Sequence, residues 1–546
     1  MKNFCFNLLL IVLFLPLLAV GQSKEEHSIV NELIEKKAYY EAIPILKKMV
    51  NEDNNSNLNY KLGLCYYLTD EKIKSIPFFE EAIKSVTKKH KFNDVLQTQA
   101  PLDAFYYFAN AQHYNGNIIL AFEYYNKFYK HASKKSKLKQ SALVGLYQCE
   151  VADELINHPI EYVIDNLGDT LNSDLSEYRP VISVDGSEIY FTSNRLRPDK
   201  SNQNIINPKT GNHYEDIYVS YRTKNGIWSN PQYLNFCEPT QNDASVSLSF
   251  NGEIIFVYKG STGNGDIYYS NLNNLNYEQV KPFPAKDLNS MFNESHASMS
   301  VDGNEIYFVS DRKGGYGGKD IYRIRRMPDG TWSKAYNLGP EINSENDEES
   351  PFIGADGKTL YFSSNGKKSM GGYDIFVSQM NTLGEWSTPK NLGYPLNTFG
   401  DDLYYSTMAN GFTGIYASNN KLSKGFFDVY FVQSKTSYYK NVTIFKGHIK
   451  PSNHQTLPKG ITVRVKDLTE NSTSKIYKPR LRDGGYVLNL KPCHSYSISY
   501  YYNDKMFYNT KNLVPCNSSY QEIHEEIILD VVNLKVIDKK VDEKSR

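Results

Sequence analysis

Two glycine-rich segments, "GGYGGKD" (Gly314–Asp320) and "GKKSMGGYD" (Gly366–Asp374), bring glycines, lysines and a carboxylate together as a phosphate-binding loop does. Such a loop cradles phosphate oxygens with backbone N–H groups and leads into a helix through G-x-x-x-x-G-K-[ST]. From Gly314 only three residues precede the next Gly-Lys pair, and Asp320 stands where the magnesium-binding hydroxyl belongs. The flanking residues alternate as strands, so no helix N-terminus follows. The glycines are therefore expected to supply tight-turn backbone, and the aspartate to accept backbone hydrogen bonds.

Other candidate chemistry is as thin. "HEEII" at His524 begins like a zinc helix but lacks a second histidine and lies in a strand pattern. The eleven histidines show no ligand spacing, and G-x-S-x-G, the nucleophile turn of α/β hydrolases, does not occur. The acidic run "NSENDEES" (Asn343–Ser350) has the oxygen ligands for calcium, but "NTFGDDL" and "NSDLSEY" elsewhere make it a recurring turn theme. No catalytic residue, cofactor or metal site is expected.

The elements that would position these residues repeat. Asp216, Asp266, Asp320, Asp374 and Asp428 each open a D-[IV]-[YF] triplet, at steps of 50, 54, 54 and 54 residues. Ahead of each lies an Asp-Gly or Asn-Gly turn and an alternating strand, as in "SVDGSEIYFTSNR" and "SVDGNEIYFVSDR". Behind three of them come "GIWSNPQYLN", "GTWSKAYNLG" and "GEWSTPKNLG", which hold all three tryptophans. Four short strands per repeat is the pattern of a propeller blade. Residues 161–435 resemble the WD40-like repeats of TolB-type propellers, and five blades are expected. The fifth copy lacks its last strand, while "DNLGDTLNSDLSEYRP" from Asp165 mirrors "YNLGPEINSENDEESP" from Tyr336, so the N-terminal strand should close the ring. The five aspartates are then a structural blade motif, and Lys367, Lys368 and Met370, which differ between copies, are the residues to test.

Residues 22–158 carry apolar positions at helical spacing. "YKLGLCYYLTDEKIKSIPFFEEAIKSV" and "AFYYFANAQHYNGNIILAFEYYNKFYK" resemble tetratricopeptide helix pairs, with Ala42, Ser75 and Ala121 at the small-residue positions. An insertion near Lys88–Ala100 lengthens one repeat. The resemblance implies a concave face, a candidate partner groove lined by Asn57, Tyr60, Tyr67, Asp103, Tyr106, Asn110 and His113. Cys65 and Cys149 fall inside these helices as small core residues.

Residues 441–534 alternate as a small β-sandwich and resemble the carboxypeptidase regulatory-like family, whose members are non-catalytic. Cys493 and Cys516 are a candidate disulfide within it. Residues 535–546 form a charged tail, expected to be disordered. The fold class is thus multidomain α+β: helical solenoid, five-bladed propeller, sandwich.

Lys plus Arg equals Asp plus Glu, at 61 each, which gives no reason to expect nucleic acid or an anionic membrane as partner. Residues 1–21, with Lys2, an apolar Leu8–Leu18 run and "AVG" before Gln22, read as a cleaved signal peptide, short of the roughly 20 residues a membrane span needs. A soluble periplasmic protein is expected, and the domain order resembles periplasmic proteins of Bacteroidetes. Many of those end in an OmpA-like domain; none is present here, so direct peptidoglycan binding is not expected. The expected function is a non-enzymatic scaffold or adaptor binding protein partners, among them an outer-membrane secretion, gliding or porin-like complex. The alternative is a glycan or small-ligand binder using the propeller's central channel.

Overall fold

The computed structural model describes residues 24–207, 210–260, 265–439, 442–452, 456–516 and 520–545; the leader expected at 1–21 lies outside them. The chain divides into two compact units, one running to His158 and including Lys367–Gly371, the other holding the rest.

The first unit is helical. After α1 (24–35) come α2 (Tyr39–Glu52), α3 (Ser56–Leu68), α4 (Lys72–Ala82), α5 (Asp103–Tyr114), α6 (Ile118–His131) and α7 (Lys137–Asn157). The Asn55 side chain caps α3, accepting from the Asn57 and Leu58 amides, which have no intrahelical partner. From α2 onward each helix packs on the next. Ala42, Ser75 and Ala121 are fully buried. Gly63 lets α3 press on α4, where a Cβ would come within 2.9 Å of the Phe79 ring. Gly145 does the same for α7 against Tyr125. The 83–102 insertion forms a two-residue parallel pairing, Val86–Thr87 with Ala100–Pro101, and folds back over α3.

The second unit is built of β-sheets, antiparallel except where Thr443–Pro451 runs parallel to Gln521–Asp530. Five have four principal strands in sequence order from inside outward. Their first three strands are Glu177–Ile182, Glu188–Ser193 and Asp216–Tyr221 in the first sheet, and Asp243–Leu248, Ile254–Lys259 and Asp266–Asn273 in the second. The third has Ala297–Met299, Glu305–Ser310 and Asp320–Arg325, and the fourth Glu348–Ile353, Thr359–Ser364 and Asp374–Gln379. The fifth has Asp402–Thr407, Thr413–Ser418 and Asp428–Ser434, and its outer strand is Tyr162–Asn166, running antiparallel to Asp428–Ser434. Each innermost strand meets the next, and Asp402–Thr407 returns to Glu177–Ile182, the arrangement of a β-propeller.

The turn joining the first two strands of every sheet places a glycine in the left-handed region: Gly186, Gly252, Gly303, Gly357 and Gly411, at φ between 64° and 73°. A side chain there would strain the turn, whose glycine amide closes on the carbonyl three residues before it. The tryptophans follow the third strands and bridge sheets: Trp332 packs edge-on against Phe283, and Trp386 against Tyr307. The second sheet has no tryptophan, and Tyr277 takes that role against Tyr190.

The C-terminal part is a pair of four-stranded sheets, ordered Gly485–Leu490, Thr443–Pro451, Gln521–Asp530, Lys535–Ser545 and Lys475–Tyr477, Ile461–Asp467, Ser495–Tyr502, Lys505–Leu513. Strict alternation of buried and half-buried residues in Ile461–Asp467 makes one face of that sheet the core. Cys493 and Cys516 are disulfide-bonded; Cys65, Cys149 and Cys237 are free and buried. The tail corrects an expectation. Lys535–Ser545 is not disordered but pairs with Gln521–Asp530 along its length, because that strand offers an open edge and matching charge. Lys539 reaches the buried Glu525 at 2.6 Å.

Ring and sandwich share one core, in which Tyr361, Tyr405 and Tyr416 pack with Val442, Ile444 and Val487. At its rim Arg480 Nη1 lies 2.7 Å from Asp185 Oδ2. Burial alone would raise the Asp185 pKa, but Arg480 with the Ser187 and Ser183 hydroxyls holds it well below the ordinary range.

Two outcomes are expected from the full-length chain. Phe79→Ala empties a fully buried site and should destabilise the helical unit by about 3–5 kcal/mol, read from urea unfolding by circular dichroism. Arg480→Met leaves the half-buried Asp185 with its serine hydroxyls alone and should destabilise the ring–sandwich unit by about 1–3 kcal/mol. An unchanged midpoint in either would contradict the packing described.

Candidate functional site

The residues expected to line a partner groove are largely covered by the chain itself. Asn57, Tyr60 and His113 are buried, and Tyr67, Asp103, Tyr106 and Asn110 are half-buried. Asn57 donates to the Gln97 carbonyl at 2.9 Å and meets His90 Nε2 at 2.8 Å, so the insertion fills that end of the face. His113 Nε2 lies 2.9 Å from the carbonyl of the fully buried Met370, and burial lowers its pKa to about 4. Tyr67 donates to Asn110 Oδ1 at 2.8 Å. An open groove formed by these seven is therefore corrected to a face filled by residues 90–98 and 367–371. Repeat spacing locates a helix face but not the insertion that folds onto it.

The repeated aspartates open the third strands, and all but the half-buried Asp266 are buried. Asp320 accepts from the Tyr316 and Gly317 amides, and Asp428 from those of Lys424 and Gly425. Each also receives an asparagine from the neighbouring fourth strand: Asn337 for Asp320, Asn391 for Asp374 and Asn166 for Asp428, at 2.6–2.7 Å. Asp216 departs from this pattern. Its carboxylate takes Nε and Nη2 of Arg197 at 2.7 and 2.5 Å, because the longer connection ahead of it carries an arginine. A second asparagine, six residues after the first, clasps the amide and carbonyl of the residue following the aspartate: Asn343 on Ile321, Asn397 on Ile375 and Asn172 on Val429.

The acidic turns serve the same frame. Glu348 accepts from the Ser344 amide and hydroxyl and from Ser364 Oγ. Glu177 and Glu294 do likewise and add Arg195 at 2.9 Å and Arg312 at 3.0 Å. The equivalent sites in the fourth and fifth sheets are Gly366 and Asn420, which bring no countercharge. Burial there raises the pKa of Glu348 to about 7 and of Asp402 to about 7. In the sandwich, Asp467, Glu470 and His494 place ligand atoms within 4.8 Å of one another. Asp467 already accepts from the Thr469 and Glu470 amides and from His494 Nδ1, and Glu470 pairs with Lys491, which makes the group a braced turn. His524 lies in a strand, and its neighbour Glu525 accepts from Tyr500.

What spacing did not single out is the position two residues past each buried carboxylate. It holds Arg179, Ser245, His296, Ser350 and Tyr404, on or beside the innermost strands. Arg179, Ser350 and Tyr404 have φ of 50°, 55° and 61°, each at a register shift in its strand. These bulges turn the side chains toward the ring axis. Arg179 of the first sheet donates to the Ser295 carbonyl of the third at 2.9 Å and lies over the rings of Tyr258 and Tyr404. His296 of the third sheet meets Tyr404 of the fifth, ring centroids 5.9 Å apart. Glu349 binds Lys319 Nζ at 2.5 Å and Ser295 Oγ at 2.8 Å. Burial, then the nearby Arg179, lowers the His296 pKa to about 3, so the ring is neutral. The signal was in the sequence: a constant carboxylate followed at a fixed offset by R, S, H, S and Y.

The raised carboxylates set a pH dependence. A group whose folded pKa exceeds its unfolded one stabilises the fold most below the ordinary carboxylate range and loses that contribution as pH rises through the folded value. Stability of the second unit should fall between about pH 5 and about pH 8. Glu348→Gln, which turns an NH2 toward the Ser344 amide, should be destabilised at the acid end yet decline less steeply. A slope equal to that of the unaltered protein in thermal melts would refute the assignment.

No family model and no curated protein matches this chain. Among solved structures it is similar to a putative TolB from Agrobacterium tumefaciens, with 14% identity and a TM-score of 0.29 over 60% of this chain and 97% of that one. An alpha-L-arabinofuranosidase from Lactobacillus brevis aligns with 11% identity and a TM-score of 0.34, over 49% of this chain and 94% of that one. An exo-beta-1,3-galactanase from Clostridium thermocellum gives 10% and 0.32, over 65% and 87%. Likeness at this level carries no argument for a shared activity.

Proposed function

We propose that the protein is a non-enzymatic scaffold of the cell envelope, exported to the periplasm and holding protein partners, among them an outer-membrane protein. In this reading the helices are tetratricopeptide-type repeats, the ring a five-bladed TolB-like propeller and the C-terminal part a carboxypeptidase regulatory-like sandwich. One observation supports it most: ring and sandwich are joined by a continuous apolar core with a half-buried ion pair at its rim. A joint of that kind holds two binding modules in fixed register, whereas linkers leave modules free to move. The polar interior of the sheets serves their own frame, through the asparagine and aspartate contacts.

A second reading, a small-ligand or glycan binder acting at the ring axis, is favoured by a separate observation. Arg179 Nε, His296 Nδ1 and Ser350 Oγ are buried there and, among the described residues, have no hydrogen-bond partner. Such atoms are costly to leave unmet.

Cross-linking in intact cells followed by affinity capture of the full-length protein tests the first reading. A stoichiometric envelope partner, lost when Arg480→Met loosens the joint, is the expected result. Recovery of the protein alone would count against the scaffold.

A further inference from the structure

Three unmet polar atoms at one repeat position make the ring axis the most unusual chemistry in the molecule. The five side chains there come from five different sheets, so no local turn requires them. Arg179, His296 and Ser350 are 8%, 5% and 1% exposed, and each carries a polar atom with no partner among the described residues. The sheets place them at a cost. Arg179 and Ser350 hold left-handed backbone that a non-glycine residue adopts only when its surroundings impose it.

Arg179 faces two carboxylates, Glu349 and Glu215, and both are already engaged, so the unmet atoms of Arg179 and Ser350 are donors. Glu349 is engaged by Lys319, by the Ser295 hydroxyl and by the Ser350 amide. Glu215 is hydrogen-bonded to Tyr178. Arg179 uses Nη1 on the Ser295 carbonyl, is hydrogen-bonded to Tyr404 as well, and leaves Nε unmet. Its Nε–H is a charge-assisted donor suited to a carboxylate oxygen. The Ser350 hydroxyl is a further donor, and the neutral His296 imidazole can give or take a proton according to its tautomer. Tyr178 and Tyr404, ring centroids 6.1 Å apart, are half-buried and supply flat apolar surface beside the guanidinium.

We propose that the ring axis is a receptor site for a small organic carboxylate, its oxygens held by Arg179 Nε and Ser350 Oγ, with His296 Nδ1 available to a hydroxyl of the same ligand. The proposal rests on the ring-axis binding reading above and narrows it to one chemical class. It also gives a meaning to the variation between copies: the frame residues repeat, while the axis position differs in every sheet but two.

Isothermal titration of the full-length protein with sodium acetate, sodium glucuronate and glucose tests it. Saturable binding of the two carboxylates, glucuronate the tighter, and none of glucose is expected. Arg179→Lys should weaken the carboxylates by about tenfold or more, through loss of the Nε–H donor. Ser350→Ala removes a hydroxyl that serves nothing in the fold, so melting should be unchanged while affinity drops by about three- to tenfold. This variant keeps the test decisive if Arg179→Lys fails to fold. Glucose binding as well as glucuronate, with Ser350→Ala indifferent to charge, would overturn the carboxylate assignment and leave ring-axis binding standing. Binding of none of the three would overturn both.

Discussion

A carboxylate cut off from water begins the innermost strand region of every sheet in the ring: Glu177, Asp243, Glu294, Glu348 and Asp402 are each at most 1% exposed. Burying such a group is unfavourable unless donors surround it. Serine or threonine hydroxyls and turn amides meet the need in the first, third, fourth and fifth sheets. A cation joins them in the first three sheets: Arg195, Lys259 and Arg312. The turn, the first strand and the end of the second strand are thereby tied to a single point. The ring's geometry follows from repeating that point five times, and in the first, fourth and fifth sheets a bulge two residues on aims a side chain at the axis. Frame and candidate site are consequences of one constraint.

The outer edge of the third, fourth and fifth sheets is held differently. There the aspartate opening the third strand meets an asparagine of the fourth, and a second asparagine clasps the adjacent peptide group from both sides. These bonds are short-range and local in sequence, except in the fifth sheet. Asn166 and Asn172 there reach Asp428 and Val429, some 260 residues away. The same chemistry that braces the third and fourth sheets thus seals the ring in the fifth.

Much of this was legible in the residues, for a physical reason. Positive φ where the strand-joining turn closes favours glycine, so the Asp-Gly and Asn-Gly pairs recur wherever Gly186 to Gly411 recur, and the period shows through. Substitutions of equivalent function were harder to see. Tyr277 replaces tryptophan against Tyr190 from a different local sequence, and Arg197 replaces backbone amides at Asp216. Long-range coverage was not legible at all. Nothing in the spacing of Asn57 or His113 tells that residues 90–98 and 367–371 lie on them. The composition of 535–545 reads as solvated tail because the strand that pairs with it contributes half of the alternating pattern. The axis residues escaped notice because they vary, and a search for repetition discards variation first.

The strand Tyr162–Asn166 has one more consequence, and it concerns time. The fifth sheet takes its outermost strand from the beginning of the ring and the other three from its end. As the chain emerges in order, that early strand has no mate until Asp428–Ser434 has appeared, and the ring remains an open arc of unsealed edges. Such edges invite pairing with other chains for as long as they persist. Completion is therefore a single late event, joining ends separated by most of the unit. The loop-closure entropy of that event grows only slowly with length. Assembly of the ring is gated by the arrival of its last strand.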